Sequence, residues 1–204
     1  MSDLQQEFEE TIEFFDSGDP AKLLQKHAGK AVLLIVDPQR QYCDPKKGWG
    51  NEETDAIAGQ IQTLASKFRE ANIPIYVSYY SPDPKNEEER KHDYSFHRFA
   101  PSTEDTLVAK TTNSAFGSGG LENILKKNKK ELLLMCGFNQ AACLAETAKG
   151  ARRKGLEVFL LQDLAGNDDE NAPFREITLL NMERLDVFMT TSDAVLKHLH
   201  TPKP

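Results

Sequence analysis

The fold is decided by the stretch ELLLMCGFNQAACLAETAKGARRKG, residues 131–155. It begins with an apolar run, residues 132–136, that has the length of a β-strand. Gly137 and the polar residues after it end that strand, and the alanine-rich remainder predicts a helix. The turn between the two elements carries a cysteine, Cys143. The stretch therefore predicts a strand, a glycine turn and a helix that begins near a thiol.

Cys143 is a candidate nucleophile because of where it lies. A thiol in the first turn of a helix faces unpaired backbone N–H groups and the positive end of the helix dipole, and both favour the thiolate. Taken alone, the same pattern also fits a buried structural thiol, which is the usual state of a free cysteine. The choice between the two depends on the rest of the chain.

The composition excludes several classes of protein. The 204 residues suffice for one α/β domain, and 32 acidic against 25 basic residues give a formal charge of −7. No basic block suggests nucleic-acid binding, the N-terminus has no apolar signal-peptide core, and no apolar run approaches the roughly 20 residues that span a bilayer. The cysteines, Cys43, Cys136 and Cys143, match neither a disulfide framework nor a metal finger. We therefore expect a cytoplasmic protein without membrane or nucleic-acid partners.

Apolar runs alternate with helical segments along the chain. The predicted strands are residues 31–36, 73–78, 107–109, 132–136, 157–161 and 187–190. Continuous apolar runs are typical of parallel strands covered on both faces, and the alternation indicates βαβ units. We predict an α/β fold with three α/β/α layers around a mostly parallel, six-stranded, Rossmann-like sheet.

The domain organisation follows from the same pattern. Residues 1–29 predict an N-terminal helical extension, and residues 30–204 predict a single globular unit without internal repeats. Residues 79–105 form a long polar connection that contains prolines, which is typical of a loop that covers a site or of a disordered one.

Reactive side chains follow the C-terminal ends of three predicted strands. Asp37 follows the first strand, Lys110 the third, and Cys143 lies about one turn beyond the fourth. Ligands of open parallel sheets bind at this edge, so an acid, a cation and a thiol would meet there. Cys143 could attack a carbonyl carbon, Asp37 could transfer the proton, and Lys110 could stabilise negative charge.

The sequence around these residues resembles the isochorismatase-like cysteine hydrolases, which include nicotinamidase, N-carbamoylsarcosine amidase and ureidoacrylate hydrolase. The matching pieces are LLIVDPQRQY around Asp37, TLVAKTTNSAF around Lys110 and LLLMCGFNQAACLAETAKGARRKGLEVFLLQDL around Cys143. They occur in the family's order and spacing, and the similarity runs over residues 31–191.

The resemblance implies a catalytic triad of Asp37, Lys110 and Cys143 that hydrolyses its substrate through a thioester acyl-enzyme. It also implies a cis peptide bond near Phe138–Asn139 and an oxyanion hole formed by the backbone amides of Asn139 and Cys143. Residues 30–204 would then be an isochorismatase-like hydrolase domain.

The resemblance also implies the surroundings of the triad and the kind of ligand. Gln39, Tyr42, Phe138 and Gln140 are expected to form the substrate pocket. The presence of Cys143 favours a small amide or N-carbamoyl substrate over the vinyl ether of true isochorismatases. Relatives are commonly homodimers or homotetramers, and we expect the same here, with no cofactor.

The sequence departs from the family pattern in two places. Nicotinamidases usually bind a divalent metal through Asp-x-His and a further His, but here Asp83 is followed by Pro and Lys85, and only His92 matches. We therefore predict no metal site. The family's common Thr-Asp pair before the nucleophile is replaced by Gln140–Ala141, which alters the pocket or its hydrogen bonds.

Other interpretations stay open at this point. The chain could be a binding or regulatory member of the same fold, a metal-dependent nicotinamidase, or a protein with a redox-sensing thiol. The pair His92 and His97 is expected on a solvated surface, and the acidic run 168–170 is expected in a solvated loop.

Overall fold

The computed structural model describes residues 20–27, 29–83 and 85–199. The predicted N-terminal helix before residue 20 lies outside the described residues. The strands form one six-stranded sheet in which every pairing is parallel. Their bounds are β1 Ala31–Val36, β2 Ile75–Tyr80, β3 Thr106–Lys110, β4 Leu132–Phe138, β5 Glu157–Gly166 and β6 Phe188–Thr190.

The strand order is β3-β2-β1-β4-β5-β6, with the first strand of the chain in the middle of the sheet. All six residues of β1 are buried, as expected for a strand covered on both faces. The chain adds β2 and β3 on one side of β1 and then β4, β5 and β6 on the other side. In parallel sheets, ligands bind between the two strands where this switch occurs, here β1 and β4, beyond their carboxyl ends.

Helices cover both faces of the sheet. They are α1 Pro20–Lys26, α2 Arg40–Cys43, α3 Glu52–Glu70, α4 Gly120–Lys127, α5 Ala145–Arg152, α6 Arg175–Glu183 and α7 Ser192–Leu199. One core cluster joins the β1 side chains Leu33 and Ile35 to α1, α3 and α7. The other joins their alternating neighbours on the opposite face to α4, α5 and α6. The predicted three-layer α/β/α fold is therefore confirmed.

The longest helix, α3, shows why these residues begin a helix where they do. Asn51 accepts a hydrogen bond from Thr54 N, and the Thr54 hydroxyl accepts one from Asn51 N, which together form a capping box. The side chains that recur at helical spacing and are buried against the sheet are Ile57, Ile61, Leu64 and Phe68.

The predicted elements differ from the observed ones mainly at their C-terminal ends. β5 continues to Gly166, five residues beyond its predicted end, because the chain stays paired with the end of β4 after a register shift. Among the described residues, no helix has both the length and the apolar character needed to cross a bilayer.

Candidate active site

The ends of three strands bring Asp37, Lys110 and Cys143 together. Asp37 directly follows β1, Lys110 is the last residue of β3, and Cys143 lies in the turn after β4. The Lys110 Nζ atom lies 2.7 Å from Asp37 Oδ2 and 3.4 Å from Cys143 Sγ. It also donates to the Thr112 carbonyl at 3.0 Å. The ammonium therefore joins the acid and the thiol that the sequence singled out.

The backbone around Asp37 explains how an acid can be held at this position. Its φ of 51° turns the chain sharply after β1, and its amide donates to the Ser78 carbonyl at 2.8 Å. The side chains of Asp37 and Lys110 are fully buried, so water does not compete for the ion pair. Cys143 keeps 7% of its surface exposed and is thus the least buried residue of the three.

Burial dominates the electrostatics of the site. It raises the pKa of Asp37 to about 6, although the neighbouring Lys110 cation opposes the shift. Burial and then the Asp37 charge raise the pKa of Cys143 to about 12, while Lys110 lowers it. The expectation that the start of a helix favours the thiolate is thus outweighed. Near neutral pH the Asp37 side chain is therefore ionised and the Cys143 thiol keeps its proton.

The Cys143 turn has an unusual backbone. The peptide bond between Phe138 and Asn139 is cis, as the family resemblance predicts. A π-helical turn over Gln140–Leu144 follows and continues into α5. Such π-helical turns are frequently found at functional sites.

Gly137 allows the strand before this turn to pass close to β1. Its φ is 121°, and a Cβ atom placed there would lie 2.1 Å from the Val36 carbonyl oxygen. Side-chain-bearing residues rarely adopt such a φ, so glycine is required at this position.

Two side chains after β5 hold the Cys143 turn, and the sequence analysis missed both. The fully buried Asn167 accepts a hydrogen bond from Ala141 N at 2.9 Å and donates to Gln140 Oε1 at 3.2 Å. Asp168 accepts from Asn139 Nδ2 at 2.8 Å, and its amide donates to Asn139 Oδ1 at 3.2 Å.

The expectation of a solvated loop over residues 168–170 is wrong for Asp168, which is 5% exposed. Its carboxylate is held by the turn and by Asn171, whose backbone and side-chain N–H groups both donate to it. The position of the acidic run beyond a strand end, at the same edge of the sheet as Asp37, is the signal that could have identified it.

The long connection after β2 crosses the loop that follows β1. Gln39 and Phe96 form an isolated antiparallel bridge, and Arg40 N and His97 N add backbone hydrogen bonds to the partner segments. His97 is not on a solvated surface as expected: it is 8% exposed, and its Nε2 atom lies 2.6 Å from Asp55 Oδ1 on α3. The described part of the connection thus packs against the loop after β1 and against α3.

Aromatic side chains pack against one another near Lys110. The ring centroid of Tyr42 lies 5.7 Å from that of Trp49 and 6.1 Å from that of Tyr94. The Tyr80 ring lies 5.7 Å from Lys110 Nζ. Burial, followed by the charges of Asp37 and Cys143, raises the pKa of Tyr42.

The four expected pocket residues occupy different environments. Tyr42 and Phe138 both belong to the core cluster on the α3 side of the sheet; Tyr42 keeps 8% of its surface exposed, whereas Phe138 is fully buried. Gln39 is buried, and its amide bonds the backbone at residues 80 and 94. Gln140 is 1% exposed and donates to the Arg175 carbonyl. Three of these side chains therefore build the scaffold of the site rather than its surface.

The residues at the position where nicotinamidases bind a metal make other contacts. The Asp83 carboxylate accepts from the amide of Lys85, and the His92 ring packs between Trp49 and Tyr94. In the part of the chain that the structure describes, no group of three or more His, Cys, Asp or Glu side chains is arranged to hold one.

Comparisons with known proteins identify the family to which the chain belongs. The family model for the isochorismatase domain matches residues 31–193. The secreted isochorismatase effector Isc1 of Verticillium dahliae is 29% identical over 142 residues, which cover 68% of this chain and 74% of the effector.

Solved structures share the fold. The zinc complex of pyrazinamidase from Pyrococcus horikoshii aligns with a TM-score of 0.70 at 20% identity, over 79% of this chain and 99% of its own. N-carbamoylsarcosine amidase from Thermoplasma acidophilum aligns with a TM-score of 0.67 at 19% identity, over 80% of this chain and 97% of its own.

Proposed function

Since this chain belongs to the isochorismatase family of hydrolases, we propose that it is a cysteine hydrolase that cleaves a C–N bond of a small amide or N-carbamoyl compound. The observation that carries the proposal is the buried contact of Lys110 with both the Asp37 carboxylate and the Cys143 thiol. An acid, a cation and a thiol in one site form the minimal set for covalent catalysis on a carbonyl group.

The reaction begins with proton transfer. Because the pKa of Asp37 is about 6, its side chain is ionised at neutral pH and acts as the base. The pKa of Cys143 is raised, so the thiol still carries its proton. Asp37 takes this proton while Sγ forms a bond to the substrate carbonyl carbon. The Lys110 ammonium stabilises the sulfur as its negative charge develops.

The tetrahedral intermediate then collapses. The C–N bond breaks, Asp37 returns its proton to the leaving nitrogen, and a thioester to Cys143 remains. Water attacks this thioester after losing a proton to Asp37. The C–S bond breaks, the thiol takes the proton back from Asp37, and the acid product leaves.

The hydrogen bonds of the Cys143 turn support the expected oxyanion hole. Ala141 N is bonded to Asn167, while Ala142 N and Leu144 N both bond the Asn139 carbonyl. These amides are therefore not available to a substrate. We propose the amides of Asn139 and Cys143 as the donors to the oxyanion.

The aromatic side chains beside the triad favour a small, flat substrate. Tyr42 is 8% exposed and Trp49 is 44% exposed, so the part of a ligand that extends beyond Lys110 and Asp37 would meet aromatic rings. The structural neighbours include a pyrazinamidase and an N-carbamoylsarcosine amidase, and we extend to this chain only their common substrate class, a small amide or carbamoyl group.

A binding or regulatory role is the second candidate. The raised pKa of Cys143 favours it, because a thiol that stays protonated is a poor nucleophile unless a base is in contact with it. A hydrolase requires Asp37 to accept the thiol proton during turnover, whereas a binding or regulatory protein does not. The expected cytoplasmic location stays a prediction in either case.

Hydrolysis assays test the proposal. Ammonia or amine release is measured with nicotinamide, N-carbamoyl amino acids, biuret and ureido compounds. We expect at least one class to be hydrolysed and Cys143→Ala to lose at least about a thousandfold in rate. The matched control is Cys136→Ala, which removes a buried thiol from the core without touching the triad and should keep turnover. Equal rates in the Cys143→Ala and unmodified proteins would refute the mechanism.

A further inference from the structure

Helix α6 and its flanks expose an unusual amount of apolar surface. Phe174, Ile177, Leu180 and Leu185 are 55%, 51%, 52% and 40% exposed, and they make up four of the six exposed large apolar side chains of the described residues. On the opposite side of the helix, Met182 is buried in the core and the partly buried Leu179 packs against it. Concentration of exposed apolar residues on one short segment marks an interaction surface.

Five exposed residues of α6 and its two flanking positions, 174 and 184, form two rows at helical spacing that cross at Leu180. Asn181 and Glu183 are also exposed and lie outside these rows. One row is wholly apolar and contains Phe174, Ile177 and Leu180 at intervals of three residues. The other contains Glu176, Leu180 and Arg184 at intervals of four residues. Side chains three or four residues apart form the ridges by which helices pack against each other. We call the two rows together the α6 face.

The charged residues of the second row form no ion pair among the residues that the structure describes. Glu176 and Arg184 differ in this respect from the neighbouring Arg175, which is bound to Glu53 on α3. The acid and the base lie at equal distances along the chain on either side of Leu180. The charges of this row are therefore complementary to those of an identical row that runs in the opposite direction.

We propose that the α6 face is the contact surface with a second copy of this chain. Two α6 helices packed antiparallel about a two-fold axis at Leu180 would place Glu176 of each copy beside Arg184 of the other. The apolar row would be buried alongside, and the opposed helix dipoles favour the antiparallel arrangement. A parallel arrangement would set like charges against each other.

This proposal assigns a specific contact surface to the expected homo-oligomer. It does not depend on the hydrolysis reaction proposed above. Burial of apolar side chains at the centre supplies the affinity, while the two symmetric Glu176–Arg184 pairs fix the orientation. An unrelated partner would have no reason to require this symmetric placement of charge.

Sedimentation velocity and light scattering of the full-length chain test the proposal, over a roughly thousandfold range of protein concentration. We expect a dimer that Ile177→Asp dissociates, with a dissociation constant raised at least about 100-fold. The control is Leu107→Asp on edge strand β3, a comparably exposed leucine whose replacement should leave the dimer unchanged. Circular dichroism verifies that each variant is folded.

Charge reversal distinguishes this contact from any other apolar contact. Glu176→Arg and Arg184→Glu should each weaken the dimer about tenfold, because each sets like charges together twice. The double variant Glu176→Arg/Arg184→Glu restores opposite charges and should recover the original affinity. A monomer at every concentration, a dimer insensitive to Ile177→Asp, or a double variant as weak as the two single changes combined would overturn the proposal.

Discussion

Replacement of Lys110 by methionine should destabilise the protein in a way that depends on pH. The substitution keeps the approximate length of the side chain and removes the ammonium that lies 2.7 Å from Asp37 Oδ2 in a fully buried pair. Removal of one partner from a buried ion pair typically costs about 3–5 kcal/mol, because the other charge is left without compensation. Asp37 can avoid part of this cost by taking up a proton.

The size of the pH effect follows from the pKa of Asp37. In the unmodified protein this pKa is about 6, raised from 3.8. The folded state therefore binds the proton of Asp37 more tightly than the unfolded state does, and this contribution to stability is lost as the pH rises through 6. Without Lys110 the folded-state pKa rises further, and the variant retains the proton when the unmodified protein has released it. Each pH unit in that interval adds about 1.4 kcal/mol to the difference. Between pH 6 and pH 8 the loss of stability in Lys110→Met should therefore grow by about 2–3 kcal/mol.

Urea unfolding at pH 6, 7 and 8 measures this difference. The matched control is Asp37→Asn/Lys110→Met, in which neither side chain titrates and the pH-dependent part should disappear. A loss of stability that is the same at all three pH values would refute the coupling between the two buried charges.

Two other substitutions test how the site is held. Asn167→Ala should lower the turnover number about 10- to 100-fold with a smaller change in KM, since Ala141 N is left without its acceptor, and Asn167→Asp should retain more activity because it keeps that acceptor. An equal loss in both variants, measured by steady-state kinetics, would contradict this role. Gly137→Ala should destabilise the fold by more than about 3 kcal/mol in urea unfolding, because its Cβ would collide with Val36. Gly119→Ala, also at positive φ but with open space around it, should cost only about 1 kcal/mol, and equal losses would refute the steric argument.

The architecture could be predicted because it depends on local pattern. The continuous apolar run of β1 and the alternation of strands and helices lead to a parallel sheet, and the polar residue that ends each run lies at the ligand-binding edge. Asp37 and Lys110 could be identified in this way since each directly follows or ends its strand. Once the strand order is known, the proximity of these two side chains follows from it.

The scaffold of the site could not be predicted because it depends on hydrogen bonds between distant residues. Asn167 bonds Ala141 over 26 residues, and His97 bonds Asp55 over 42 residues. No periodicity or spacing records such pairs, so buried polar residues looked like solvated ones. Gln39 likewise looked like a pocket residue, whereas the backbone of neighbouring segments engages its side-chain amide.

The central claim is that Cys143 carries the acyl group during turnover. Mass spectrometry of protein quenched in acid while it hydrolyses an active substrate tests this claim most directly. We predict an adduct with the mass of the acyl group on the peptide that contains Cys143, lost on treatment with hydroxylamine as expected of a thioester. Hydrolysis that continues without any adduct on Cys143, or at an unchanged rate after this thiol is blocked by iodoacetamide, would contradict it.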